Sequence, residues 1–168
     1  MAVTNQSSTE YENQTSVNPD FTEANVSTGK VRIQQITFTQ DGAGDATSTV
    51  DLIKLPAGKV TLVGALSKLD VSAFGASRTL DVGWGAYTKA DGTGVDADPD
   101  GLDDGLDVSA ASQISLGSEL LNGGVKVFDN RKGVKLLATV AGGTIPTGAT
   151  IKGFIAYVVE SAVDFKMG

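Results

Sequence analysis

At 168 residues with 40% apolar content, the chain is long enough for one domain with a genuine core. It has no Cys and no His, which removes disulfides, thiolate nucleophiles, zinc–thiolate sites and the commonest general base and metal ligand. Twenty acids against thirteen Lys plus Arg give a formal charge of −7, so nucleic acid and anionic membranes are unsuitable partners.

Residues 1–29 are rich in Asn, Gln, Ser, Thr and Glu, with no basic residue before Lys30. No helical or strand periodicity holds there, so the segment reads as an N-terminal arm, either disordered or ordered on a neighbouring subunit. Its apolar positions Tyr11, Val17, Phe21 and Val26 are the candidate anchors for partner binding. Three Asn-x-Ser/Thr triplets, at Asn5, Asn13 and Asn25, fit a glycosylation acceptor pattern. The start of the chain lacks the basic-then-apolar profile of a signal peptide, so these triplets read as chance. No apolar run approaches the ~20 residues of a membrane helix.

From Lys30 onward the pattern predicts one domain, 30–168, of strands and turns. Residues 31–39 are apolar at 31 and 33 and then at 36 and 38, a phase change that predicts a bulge or a strand changing sheets. A hairpin-type turn at 41–45 leads into a strand over 47–55, which ends at Leu55-Pro56-Ala57-Gly58. Residues 59–71 read as a long strand or a bent pair. Over 79–87, Leu80, Val82, Trp84 and Ala86 share one face, which makes Trp84 a core anchor. Gly83 and Gly85 on the other face predict close approach of another backbone or a sharp bend. Further strands follow at 113–116, 125–129 and 134–140, and 118–121 suits one helical turn. The turn at Ile145-Pro146-Thr147-Gly148 precedes residues 150–160, which are apolar on both faces and read as a central strand. About eight strands without an amphipathic helix predict an all-β, antiparallel β-sandwich of jelly-roll type.

The stretch 91–107, DGTGVDADPDGLDDGLD, holds seven of the twenty acids and no base, equal to the whole net charge. It is expected to be an acidic loop. Asp96, Asp98, Asp100, Leu102, Asp104 and Asp107 stand where an EF-hand calcium loop places its ligands, Leu102 through its carbonyl, with Gly101 at the sharp turn. Asp107 replaces the usual Glu, Asp103 stands where an apolar residue is usual, and the flanks are not paired helices. The stretch is therefore a calcium site, a hydrated surface insert or a metal-mediated subunit contact. No other cofactor is indicated. A carboxylate pair suits glycoside hydrolysis, but one Trp and three Tyr are few for a sugar cleft, and no catalytic constellation is visible.

Three stretches, TLDVGWGAYTKADGT, DPDGLDDGLDVSAA and IPTGATIKGFIAYVV, resemble the small all-β structural proteins of tailed-bacteriophage virions. That resemblance implies a capsid decoration (cement) protein on the outer capsid surface. It further implies a jelly-roll homo-oligomer, often a trimer, bound to a lattice of major capsid protein. No site residues transfer with it. A head-fibre or tail component belongs to the same class of virion protein. The alternative from another class is a calcium-dependent carbohydrate-binding module or adhesin on the same sandwich.

Overall fold

The computed structural model describes residues 30–42, 47–121 and 124–160. Among these residues twelve strands form two packed sheets and a two-stranded ribbon. In the first sheet β12 (Thr150–Val159) is central. One of its edges pairs with β1 (Val31–Thr39). Its other edge pairs with β3 (Gly58–Val63) at 157–159 and with β4 (Lys68–Val71) at 151–154. Beyond them lie β10 (Val125–Asn130), against β3, and β9 (Ser112–Ser115), against β4. The second sheet runs β2 (Thr49–Leu55), β11 (Val134–Ala141), β5 (Thr79–Trp84) and β8 (Asp98–Asp107). β6 (Tyr87–Thr88) and β7 (Gly94–Val95) make the ribbon.

β3 with β4, and β9 with β10, are broken halves of single lanes, so each sheet is four lanes wide. This is the eight-lane antiparallel jelly roll expected from the sequence. The expected bent pair over 59–71 is β3 and β4, joined by a 3-10 turn at Gly64–Leu66. The break would strand the Ala156 amide in mid-strand. Buried Ser67 resolves it, since its hydroxyl accepts from Ala156 N–H at 3.0 Å and donates to Val63 O at 2.9 Å.

The core lies between the inner faces. Val60, Leu62, Leu69, Val71, Phe128, Ile151 and Ile155 of the first sheet meet Leu55, Leu80, Val82, Leu136, Ala138 and Val140 of the second. Each fully buried Val, Leu, Ile or Phe contributes about 1.5–3 kcal/mol, which lets an aromatic-poor chain hold a sandwich mainly with aliphatics. Trp84 is buried as expected and meets the Phe128 ring edge-on at 5.4 Å.

Three local expectations are corrected. β1 contains no bulge and does not change sheets, because its register with β12 is unbroken from Val31 to Thr39. The phase change instead puts Val31 and Ile33 on the outer face, exposed, while Ile36 is buried in the core. β1 and β2 do not pair as the hairpin expected around 41–45, since they belong to different sheets; 43–46 lie outside the described residues. The third correction concerns the acidic stretch. It is not a loop throughout, for 98–107 is the edge strand of the second sheet.

Candidate interaction surfaces

β8 pairs with β5 through Asp98–Trp84, Asp103–Val82, Leu106–Leu80 and Asp107–Thr79. The register shifts twice, so ten residues of β8 run alongside six of β5. Bulges of this kind bend an edge strand away from a flat ladder. Gly83 makes the larger one feasible, because a Cβ there would collide with the backbone of Asp98 and Pro99. This is the close backbone approach that the glycine on the polar face of 79–87 signalled. The second bulge is held by Gly105 N–H donating to the Asp81 carboxylate at 2.9 Å.

The six residues expected as calcium ligands are dispersed by this geometry. Asp96 precedes the strand and is exposed. Asp98 and Asp100 interact with each other. Burial, then the neighbouring Asp100, raises the Asp98 carboxyl above its ordinary value, with Lys126 acting in the opposite sense. Leu102 is fully buried in the core, and its carbonyl accepts from Glu119 N–H at 3.1 Å. Asp104 is exposed. Asp107 accepts from Ser109 N–H at 2.8 Å, and hydrogen bonds from Ser109 hold its carboxyl below the ordinary value. Among the described residues no three acidic side chains gather as a metal set. An EF-hand loop needs a tightly turning chain to converge its carboxylates; here a bulged strand sends successive side chains to opposite faces.

The residue that departs from the calcium pattern has the most definite role. Asp103 is completely buried and accepts from Gly117 N–H at 2.8 Å, Ser118 N–H at 2.9 Å and the Ser118 hydroxyl at 2.7 Å. It thereby ties edge strand β8 to the segment between β9 and β10, across the two sheets. The expected helical turn at 118–121 is instead a turn held by this carboxylate. A serine beside a carboxylate suggests a nucleophile and its base, but this carboxylate already serves two amides, Ser118 N–H on the oxygen that takes the hydroxyl and Gly117 N–H on the other. The arrangement is a structural clasp. Nothing in the sequence near Asp103 announces a partner fourteen residues away.

Two surface concavities flank the second sheet. One, of about 360 Å³, is bordered by Trp84, Asp98, Glu119 and Lys126, with the Lys126 ammonium 4.3 Å from the Trp84 ring centre. The other, of about 320 Å³, gathers Lys54, Lys132 and Lys135 around Tyr87. Its phenol is raised above the ordinary value by burial and then by the charge of Asp129. The sequence reading missed this basic group, because Lys54 and Lys135 are brought opposite each other only by the β2–β11 pairing. Tyr11, Val17, Phe21 and Val26 lie outside the described residues.

No family model and no curated protein matches the chain. Solved structures do. A chain in the capsid of Ralstonia phage GP4 aligns at a TM-score of 0.59 and 21% identity, over 80% of this chain and 87% of that one. A chain in the cyanophage Pam1 capsid asymmetric unit aligns at 0.52 and 12% identity, over 79% and 86%. At these identities the likeness establishes a shared fold.

Proposed function

We propose that this chain is a structural virion protein that decorates and stabilises a tailed-phage capsid by binding the lattice of major capsid protein on its outer surface. The single observation that carries the reading is the coverage of the two phage-capsid alignments. Most of each chain is matched, so those capsid chains are of comparable length and consist largely of this sandwich. A single jelly roll of this size suits an accessory subunit laid on a shell. The use of the Ser118–Asp103 pair as a structural clasp supports a passive role. So does the use of the acidic stretch as a bulged edge, which keeps an outward strand hydrated and unpaired. The homo-oligomer, a trimer by resemblance, and the anchoring of residues 1–29 through Tyr11, Val17, Phe21 and Val26 on a neighbour belong to the same proposal.

The carbohydrate-binding alternative draws less support. Trp84 and Tyr157 are buried, which leaves Tyr87, beside the basic concavity, as the one Trp or Tyr among the described residues that is not buried. Its calcium would need the ligands that β8 separates.

The test is re-decoration. Shells assembled from major capsid protein alone are mixed with the purified chain and sedimented. Saturable co-sedimentation at a fixed ratio, with raised thermal or chemical resistance of the shells, is expected. No binding to shells, together with binding to glycans, would replace this reading with the alternative.

A further inference from the structure

Among the described residues the two sheets present four edges, and the chain guards them unequally. β8 is bulged twice and carries Asp98, Asp100, Asp104 and Asp107. β2 lies against a register shift in β11 and carries Lys54 and the Asp51–Lys135 ion pair at 3.0 Å. The far edge of the first sheet is split between β9 and β10, of four and six residues. Bulges, charges and short strands are the usual means of preventing edge-to-edge pairing.

β1 uses almost none of them. Its nine residues, VRIQQITFT, include no Gly, Pro or acid, and their register with β12 is continuous. Residues 31–35 are all exposed. Val31 and Ile33, exposed by 48% and 65%, are two of the five large apolar side chains exposed among the described residues. Buried Ala156 and Val158 stand beside them on β12, opposite Ile33 and Val31, and extend the apolar face inward from the edge.

We propose that β1 pairs antiparallel with β1 of a second copy, across a two-fold axis at Ile33. This register sets Ile33 against Ile33, Val31 against Gln35 and Arg32 against Gln34. The occupant follows from charge. Arg32 is the one charged residue of β1, and the axis places the two arginines on opposite sides of it, each facing an amide. No like charges oppose one another, despite a chain charge of −7 that disfavours random contact. The same patch serves both copies, the geometry of an isologous contact. Pairing joins the two first sheets into one continuous sheet. The inference goes beyond the decoration reading and stands whether the two copies share an oligomer or belong to neighbouring ones.

The test uses the full chain, which has no thiol of its own. Facing residues of an antiparallel pair have Cα atoms about 4.5–5.5 Å apart, within disulfide reach. Ile33→Cys is therefore expected to oxidise to a covalent pair of chains on a denaturing gel, while Val127→Cys, on the opposite edge of the same sheet, stays single. Ile33→Lys places two ammonium groups face to face. It is expected to weaken association about tenfold or more and to halve the native mass at a fixed concentration. The exposed side chain lets the variant fold, which circular dichroism confirms. Ile33→Cys remaining single under oxidant, or Ile33→Lys folding with unchanged native mass, overturns the proposal.

Discussion

Replacing Asp103 with Ala removes the acceptor that joins β8 to the β9–β10 segment. Two opposing effects set the size of the loss. Burying a carboxylate is itself unfavourable by several kcal/mol, so a well-packed apolar substitute for the whole cluster would be close to neutral. Ala is not such a substitute, because the Gly117 and Ser118 amides stay where they are. The Asp103–Gly117 bond is buried, so that N–H loses its partner without gaining water, at about 1–3 kcal/mol. The Ser118 groups are partly buried and recover some hydration, so their two bonds add about 1–2 kcal/mol together. The total is about 2–5 kcal/mol, overlapping the ~3–5 kcal/mol typical of breaking a buried charged network from one side. At about 2–4 °C per kcal/mol for a chain of this size, Tm falls by roughly 4–20 °C. Asp103→Asn keeps one acceptor oxygen but turns an NH2 toward a donor, and about half that loss is expected. Urea unfolding with an unchanged slope measures the difference, and hydrogen exchange at Gly117 localises it. An Ala variant within about 1 kcal/mol of the parent would refute the clasp.

The raised Asp98 carboxyl makes the native chain bind more protons than the unfolded chain between the ordinary and the raised value. Stability therefore falls as pH rises through that window, and Asp98→Asn should melt higher than the parent at pH 7 with the gap closing toward about pH 4. A gap that widens on acidification would contradict the assignment. Asp91 and Asp107 act with the opposite sign. Hydrogen bonds from Thr93 and Ser109 lower them, so their contribution is present above the ordinary carboxylate value and is lost as pH falls through the lowered one. Replacing either with Asn should flatten the acid limb of the stability profile. Gly83→Ala drives a methyl into the backbone at Asp98–Pro99 and should destabilise by about 3 kcal/mol, read by urea unfolding; a neutral result would mean that β8 does not cross there. Calcium at millimolar concentration should move Tm by less than about 1 °C, whereas a site filled at a hundredfold excess over Kd would add about 2.7 kcal/mol.

Much of the fold was legible in the chain because the signals were local. Pro-Gly turns at 56–58 and 146–148 marked strand boundaries, and the shared phase of Leu80, Val82 and Trp84 and the doubly apolar run at 151–159 reported burial directly. Pairing was not legible. Nothing between Lys59 and Val71 says that both halves of a bent strand share one edge of β12, and nothing around Gly42 says that the chain leaves one sheet for the other. The acidic stretch misled for a physical reason. A bulged edge strand and a cation loop call for the same residues, Asp for hydration and Gly for sharp backbone turns, and only the partner strand distinguishes them. Gly83 held the clue, since its missing side chain marks where β8 crosses. Asp103 and the Lys54–Lys132–Lys135 group depend on contacts between distant segments, which no spacing along the chain encodes.

The most direct measurement of the central claim is the copy number of this chain in purified virions, determined by quantitative mass spectrometry against the major capsid protein. A capsid-decorating role predicts a fixed, near-stoichiometric ratio that survives stringent washing. Absence from particles would contradict the assembly role altogether, and a few copies per virion would move the chain from the shell to a tail or fibre.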